Sequence, residues 1–308
     1  MTGSATDYTF AFTKYDAANG VIQSPEVAWA SAGADDVAVT SGSTVQDTDK
    51  TVYAMRLGYG HNLSGAGTIT VLGGGVAGPF NGSIANTLAF GSTEGYLINN
   101  ASTVQGINGL ITGSAGLTKV GAGTTSLSAT SRPGLTGPIT VLAGTLQVSC
   151  SASVTWSQAL GANDSDPVVL DGGTLWTNPD ASGRIFTRPI QVGPNGGTFF
   201  YSGYGANTYL DSAISGTGLL TLYTDQGGNT TLTLRGNNTH SGGTYIPGYW
   251  QGGRPSIVSV QSTSSLGTGD VTVGSGAADV TLILNGHTNI ASTARLAILG
   301  VYGKVQMN

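Results

Sequence analysis

The sequence is poor in the residues that build most active sites. One cysteine, Cys150, stands among 308 residues, so neither an internal disulfide nor a thiolate zinc cage can form. Cys150 reads as a small apolar residue following a strand. The only histidines, His61, His240 and His287, lie far apart, and none has a second metal-type ligand beside it in sequence. Charged residues make up 9% of the chain, against about 25% in an average protein. With 11 basic and 16 acidic residues the net charge is −5, which leaves no basic stripe for nucleic acid. No apolar run approaches the roughly 18 residues that span a bilayer, so no membrane-spanning segment is expected. The opening MTGSATDYTF has neither the basic start nor the apolar stretch of a signal peptide. It is read as the start of a cytosolic chain, a mature form or a piece of a longer precursor. The Lys-poor, Ser/Thr/Asn/Gly-rich composition leans towards the extracellular space.

Helix signals are scarce as well. A helix needs several turns free of glycine with apolar residues at i, i+3 and i+4. Glycine-free stretches such as VIQSPEVAWASA (21–32) are β-branched or broken by Pro25. What the chain does have is glycine, 50 residues of it, and 39% apolar residues. The apolar residues fall in short alternating runs: TITVL (68–72), GTLQVS (144–149), TLTLR (231–235), SIVSV (256–260) and DVTLIL (279–284). Each is one strand long, and Gly, Asn or Asp separates most of them. In TLTL, Leu232 and Leu234 are expected to point inwards, with Thr231 and Thr233 outwards.

The chain also repeats itself. Setting Gly116–Leu117 against Gly218–Leu219 gives an offset of 218 − 116 = 102, and GTTSLSATS (123–131) then lies opposite NTTLTLRGN (229–237) after a small insertion, at an offset of 229 − 123 = 106. Downstream, ALGANDSDPVVLDGGTL (159–175) parallels SLGTGDVTVGSGAADVTLIL (265–284), offset 266 − 160 = 106. A degenerate earlier copy contains LSGAGTITVLGGG (63–75). Units of about a hundred residues are too long for one solenoid layer, which takes about 20–25 residues. Each unit is therefore several coils. The expectation is about 14 coils, forming a rod of ~65 Å at the strand spacing of ~4.8 Å. Interior rungs satisfy one another's backbones, whereas the two ends expose unpaired edges.

The stretch GLTKVGAGTTSLSATSRPGLTGPITVLAGTLQVS (116–149) resembles the autotransporter-associated β-strand repeat, with its Gly-Leu-Thr-Lys opening and Gly-Thr-Leu close. The second copy keeps TLTLRGNNTHSGGT (231–244) but reads LLTLYTDQGG (219–228) in place of the Leu-Thr-Lys element. The likeness extends over about residues 50–300. It implies an all-β fold, a right-handed parallel β-helix (β-solenoid) of the kind found in passenger regions of large bacterial surface proteins. Such regions serve as stalks, spacers or adhesive shafts outside the cell. The repeat has no catalytic residues, so none carries over.

The division expected is an N-terminal cap or first irregular coils over 1–50, then continuous solenoid over 51–308, with long units around 110–210 and 211–300. LGVYGKVQMN, at the end, offers no obvious cap, which points to truncation or to end-to-end stacking with a neighbour. The close carboxylate pairs, Asp35–Asp36, Asp47–Asp49 and Asp164–Asp166, read as turn residues. Asp47–Asp49 in particular reads as a solvated turn, with calcium binding and polysaccharide cleavage as the weaker alternatives. His240 is expected on an outward turn. One loop stands out: PGYWQGGRPS (247–256) replaces the four-residue LAGT (142–145) of the first unit. It brings Tyr249, Trp250 and Arg254, residue types that dominate binding hot spots, as the expected contact with a partner or glycan. A second aromatic segment, FFYSGYGANTYL (199–210), is expected to stack Phe199, Tyr201, Tyr204 and Tyr209 as a ladder between coils. The function expected is that of a non-enzymatic structural rod at the bacterial surface or outside the cell, without catalytic residues, cofactor or metal, and self-associating end to end. An adhesin holding a glycan is the alternative, and a polysaccharide-active enzyme the weaker one.

Overall fold

The computed structural model describes residues 12–78, 81–178, 183–202, 207–224, 230–248, 256–275, 279–285, 294–299 and 303–307. Short strands stack coil upon coil into a parallel β-solenoid of about ten turns. One face is a ten-stranded sheet from Glu26–Ala28 to Ile214–Gly216. The next is a twelve-stranded sheet from Thr44–Val45 to Leu296–Ile298. The third face is split into a four-stranded sheet, Lys50–Val52 to Ile111–Thr112, and a six-stranded sheet, Arg184–Phe186 to Gly303–Met307. An antiparallel hairpin, Thr13–Asp16 with Gly20–Gln23, forms a separate two-stranded sheet tied to the first coils, where the Tyr53 hydroxyl donates to Thr13 O at 2.7 Å. The parallel ladder already begins at Glu26, within the stretch expected to hold a cap or irregular first coils.

The coil length is legible in the register. Leu97 pairs with Lys119, 119 − 97 = 22 residues on, and Leu175 with Phe199, 199 − 175 = 24. One coil is longer: Thr140 pairs with Val169, 169 − 140 = 29. The extra residues hold the short helix Trp156–Leu160, which lies in the chain where the third face would otherwise place a strand, between the Gly113–Leu135 bridge and Arg184–Phe186. Its start is a capping box: the Gln158 N–H donates to the Thr155 hydroxyl (3.2 Å) and the Thr155 N–H donates to the Gln158 side-chain oxygen (2.8 Å). Trp156, Ala159 and Leu160 are buried, and Trp156 meets the ring of Phe186 at 6.2 Å.

The hairpin and this long coil explain why the stack is shorter than the fourteen coils expected. Twelve rungs at ~4.8 Å span about 53 Å.

Alternation builds the core. In the twelve-stranded sheet, Ile84, Ile107, Leu127 and Val148 lie in one inward column, each fully buried. Leu146, Leu175, Phe199 and Leu222 form another. The apolar core is one continuous cluster from Trp29 to Leu284. In Thr231–Leu234, Leu232 and Leu234 point in as expected and Thr231 is half-buried; Thr233, however, is covered, with 5% exposure.

The two sequence units do not occupy the same faces. In the first, Leu117–Val120 lies in the ten-stranded sheet and Thr124–Leu127 in the twelve-stranded one. Their counterparts, Leu220–Thr224 and Thr231–Leu234, lie one face further on, in the twelve- and six-stranded sheets. What repeats is a strand–corner–strand phrase, and the coil carries it on either pair of faces.

Candidate contact surface

Several acidic side chains join rungs. Asp47 accepts from the Ala66 N–H (3.2 Å) and Asp49 from the Thr68 N–H (2.9 Å), each one coil on. The pair is exposed, as expected of a solvated turn, and it is also a clamp between coils: a carboxylate at a corner faces an N–H of the next corner that the strand ladder leaves without a partner. Asp166 accepts from Gly137 N–H at 2.7 Å, Asp171 from Asn195 N–H at 2.8 Å and Asp270 from Arg295 N–H at 2.8 Å. Asp35 pairs with Lys14 at 2.9 Å, and Asp36 accepts from the Gly33 N–H at 2.8 Å. Among the described residues no group of three or more His, Cys, Asp or Glu could hold a metal ion.

His240 is buried, not on an outward turn. The Thr244 hydroxyl donates to Leu266 O (2.9 Å), so the proton between His240 Nε2 and Thr244 Oγ1 (2.8 Å) belongs to the imidazole. His240 Nδ1 has no hydrogen-bond partner among the described residues. Burial pushes the His240 pKa down to about 4. The imidazole fills the space beside Gly267. His61 lies at the other end of the stack, 3.1 Å from the Thr40 hydroxyl. Cys150 is buried.

Two cations are buried without a carboxylate partner of their own. Arg132 is held by five carbonyls, of Ser128, Thr130, Ala159, Ile107 and Gly109, which ties the helix coil to the coil before it. Burial lowers its pKa to about 10. Lys119 donates to the carbonyls of Val120, Gly121 and Ala143, and burial lowers its pKa to about 8. This is the lysine of the Leu-Thr-Lys element, and its place is structural.

Of the residues expected to make contacts, Tyr249, Trp250 and Arg254 lie outside the described residues, as do His287 and Tyr204. Among the described residues named for it, Phe199, Tyr201 and Tyr209, the expected aromatic ladder is not formed. Phe199 and Tyr201 point into the core, Phe199 against Phe186 at 5.6 Å. Tyr209 packs instead under the Arg235 guanidinium, 4.0 Å from the ring centre, and Arg235 is forked onto Asp211 at 2.6 and 2.8 Å.

A ladder does exist one residue over, on the outer side of the twelve-stranded sheet. Register aligns Ser126, Gln147, Trp176, Phe200 and Tyr223 in one outward row. Trp176 and Phe200 are 5.2 Å apart with planes at 34°, and Phe200 and Tyr223 are 6.3 Å apart at 82°. A parallel row runs Thr124, Thr145, Thr174, Thr198 and Thr221. Thr145, Thr174, Thr198, Phe200 and Tyr223 line a shallow depression of about 290 Å³. No strand of this sheet contains a charged residue. The indole N–H of Trp176 is buried and makes no hydrogen bond to a described residue.

The signal for this row was present in the sequence: the triplets TLW (174–176), TFF (198–200) and TLY (221–223) each place an aromatic two residues after a threonine, one coil apart.

No family model, curated protein or solved structure matches the chain.

Proposed function

We propose that the protein is a non-enzymatic structural rod of the bacterial surface or extracellular space, acting as a stalk, surface-layer or filament element. The observation that carries this reading is the single apolar core running through the stack, with Asp47, Asp49, Asp166, Asp171 and Asp270 joining rung to rung. A rod of this kind resists bending because neighbouring coils share backbone ladders, core columns and side-chain clamps at the same corners. Its resemblance to the autotransporter-associated β-strand repeat supports the same use, as does its low charge. Paired acids free to act as acid and base, which polysaccharide cleavage needs, have no counterpart in the clamped carboxylates described above.

The last described rungs leave Leu296, Ile298, Leu299 and Met307 exposed. A rung stacked there, from a second molecule or from further chain, would cover them. The test is light scattering of the purified protein followed by negative-stain imaging. Discrete rods of about 50–60 Å, or filaments built from them, fit the proposal. Particles with no long axis refute it.

A further inference from the structure

The coils shorten towards the N-terminal end of the stack. Met55 pairs with Val76, 76 − 55 = 21 residues on; Val37 pairs with Ala54, 54 − 37 = 17; and Glu26 pairs with Val37, 37 − 26 = 11. The last of these is too short to go round three faces. It gives a strand to the ten-stranded sheet only, and the other two faces begin one coil later, at Thr44–Val45 and Lys50–Val52. The chain returns to Val37 through a tight turn. There the Ser31 and Ala32 N–H groups donate to Ala28 O (3.0 and 3.1 Å), and the Gly33 N–H donates to the Asp36 carboxylate (2.8 Å).

This turn closes over the core. Trp29 and Ala32 are only 6% and 7% exposed and belong to the core cluster. Trp29 is fixed from all three faces. Its backbone N–H donates to Val39 O (2.9 Å), in the ten-stranded sheet. Its indole N–H donates to the side-chain oxygen of Gln46 (3.0 Å), just past the first strand of the twelve-stranded sheet. Lys50, which opens the four-stranded sheet, lies over the ring at 5.6 Å and donates to Ala32 O at 2.9 Å.

A further rung at this end would need open backbone edges. The ten-stranded sheet starts with three residues directly after Pro25, which has no N–H to offer, and its Glu26 is ion-paired with Arg56 at 2.8 Å. The twelve-stranded sheet starts with two residues, and the four-stranded sheet with a charged one. Short, charged and proline-flanked edges are the devices that refuse an added strand. The preceding hairpin lies elsewhere, along the outside of the coils, where Phe12 packs on Gly75. The last described rungs contrast with this. They include the five-residue strand Gly303–Met307, and they expose Leu296, Ile298 and Met307.

We infer that the Trp29 turn closes the N-terminal end of the stack to a second copy of the chain, so that molecules do not join head to tail through it. Removing Trp29 and Lys50 converts that end into an acceptor for the exposed rung of another molecule. The inference rests on the fold and not on the proposed use of the rod. It removes filaments grown head to tail from the assemblies open to that rod.

The experiment is a cross-linking test on the whole chain in a Cys150→Ser background. Val45→Cys and Ala297→Cys place thiols on the first and last strands of the twelve-stranded sheet, both outward by register with Ser64 and Thr272. They stand at opposite ends of one molecule, so a bond between them joins two molecules head to tail. Each single-cysteine chain, as control, gives dimers at most. After mild oxidation the chain with Trp29 intact should give no ladder of higher oligomers on a non-reducing gel. The same chain carrying Trp29→Gly and Lys50→Thr should give one. The inference is overturned by a ladder with Trp29 in place, or by no ladder in the opened variant when its circular dichroism matches the parent. Should the opened variant fail to fold, hydrogen exchange of the unaltered protein decides. The amides of Trp29 and Val37, which donate to Val39 O and Pro25 O, should exchange as slowly as those of Leu88 and Phe90 inside the stack. Exchange at the rate of an unfolded chain over residues 26–36 would overturn the closed end. Rods seen by imaging together with a ladder in the Trp29 chain would refute this inference and leave the rod reading standing.

Discussion

Acidification should weaken this protein through one residue in particular. His240 is buried and neutral, with Nε2 donating to Thr244 and Nδ1 set against Gly267 without a partner among the described residues. Protonation would add an N–H at Nδ1 that finds no acceptor, in a place where burial already holds the pKa down to about 4. In the unfolded chain the group titrates near 6.5. Above pH 6.5 both states are neutral and His240 contributes no pH dependence. Between 6.5 and 4 the unfolded state binds a proton that the folded state refuses, so stability falls as pH falls. Below 4 both are protonated and the loss levels off. The gap of two and a half pH units corresponds to about 3 kcal/mol. The assay is urea denaturation followed by circular dichroism from pH 8 to pH 3.5, for the wild type and for His240→Gln, whose amide can also donate to Thr244. Every other titrating group contributes equally to both, so the difference isolates His240. The two curves should run parallel above pH 6.5, draw apart by about 3 kcal/mol towards pH 4 to the disadvantage of the wild type, and run parallel again below. Parallel curves across the whole range would refute the buried, neutral assignment.

Two further substitutions probe the rung contacts. A methyl group on Gly216 would sit 2.1 Å from Val192 O in the neighbouring rung, at φ +112, so Gly216→Ala should cost about 3 kcal/mol or more. Gly60→Ala, at φ +73 with open space around it, should cost only about 1–2 kcal/mol; equal losses in thermal denaturation would contradict the account of close rung approach. Arg132→Met keeps the apolar stem but leaves five carbonyls without their donor. It should destabilise by about 3 kcal/mol or more, and an unchanged urea midpoint would show that those carbonyls find other partners.

The repeating strand was easy to read in the sequence because alternation and glycine corners act locally: TLTLR and GTLQVS announce one buried and one exposed side wherever they are placed. The face on which each strand lies was not readable, since the strand–corner–strand phrase fits either pair of faces, and only the number of residues in the long connection decides. The short helix escaped notice because five residues give no periodicity, although Thr155–Gln158 is a capping box in plain view. Residue roles at corners were the hardest to read. Asp47, Asp49 and His240 have the chemistry of solvated turn residues, and what makes them a clamp or a buried wedge is the backbone of the next coil, about twenty residues away in sequence. The outer aromatics were misplaced by one residue: Phe199 and Phe200 are adjacent, and register alone says which faces the core.

The stacking register underlies every claim made here, including the continuity of the core and the row of rings, and a pair of cysteines tests it most directly. Ser126 and Gln147 are outward register partners on adjacent rungs, whereas Ser126 and Trp176 are two rungs apart. In a Cys150→Ser background, Ser126→Cys with Gln147→Cys should form a disulfide on mild oxidation, since rungs ~4.8 Å apart fall within bridging distance. Ser126→Cys with Trp176→Cys, at roughly twice that separation, should stay reduced. A bond in the second pair and none in the first would contradict the stack.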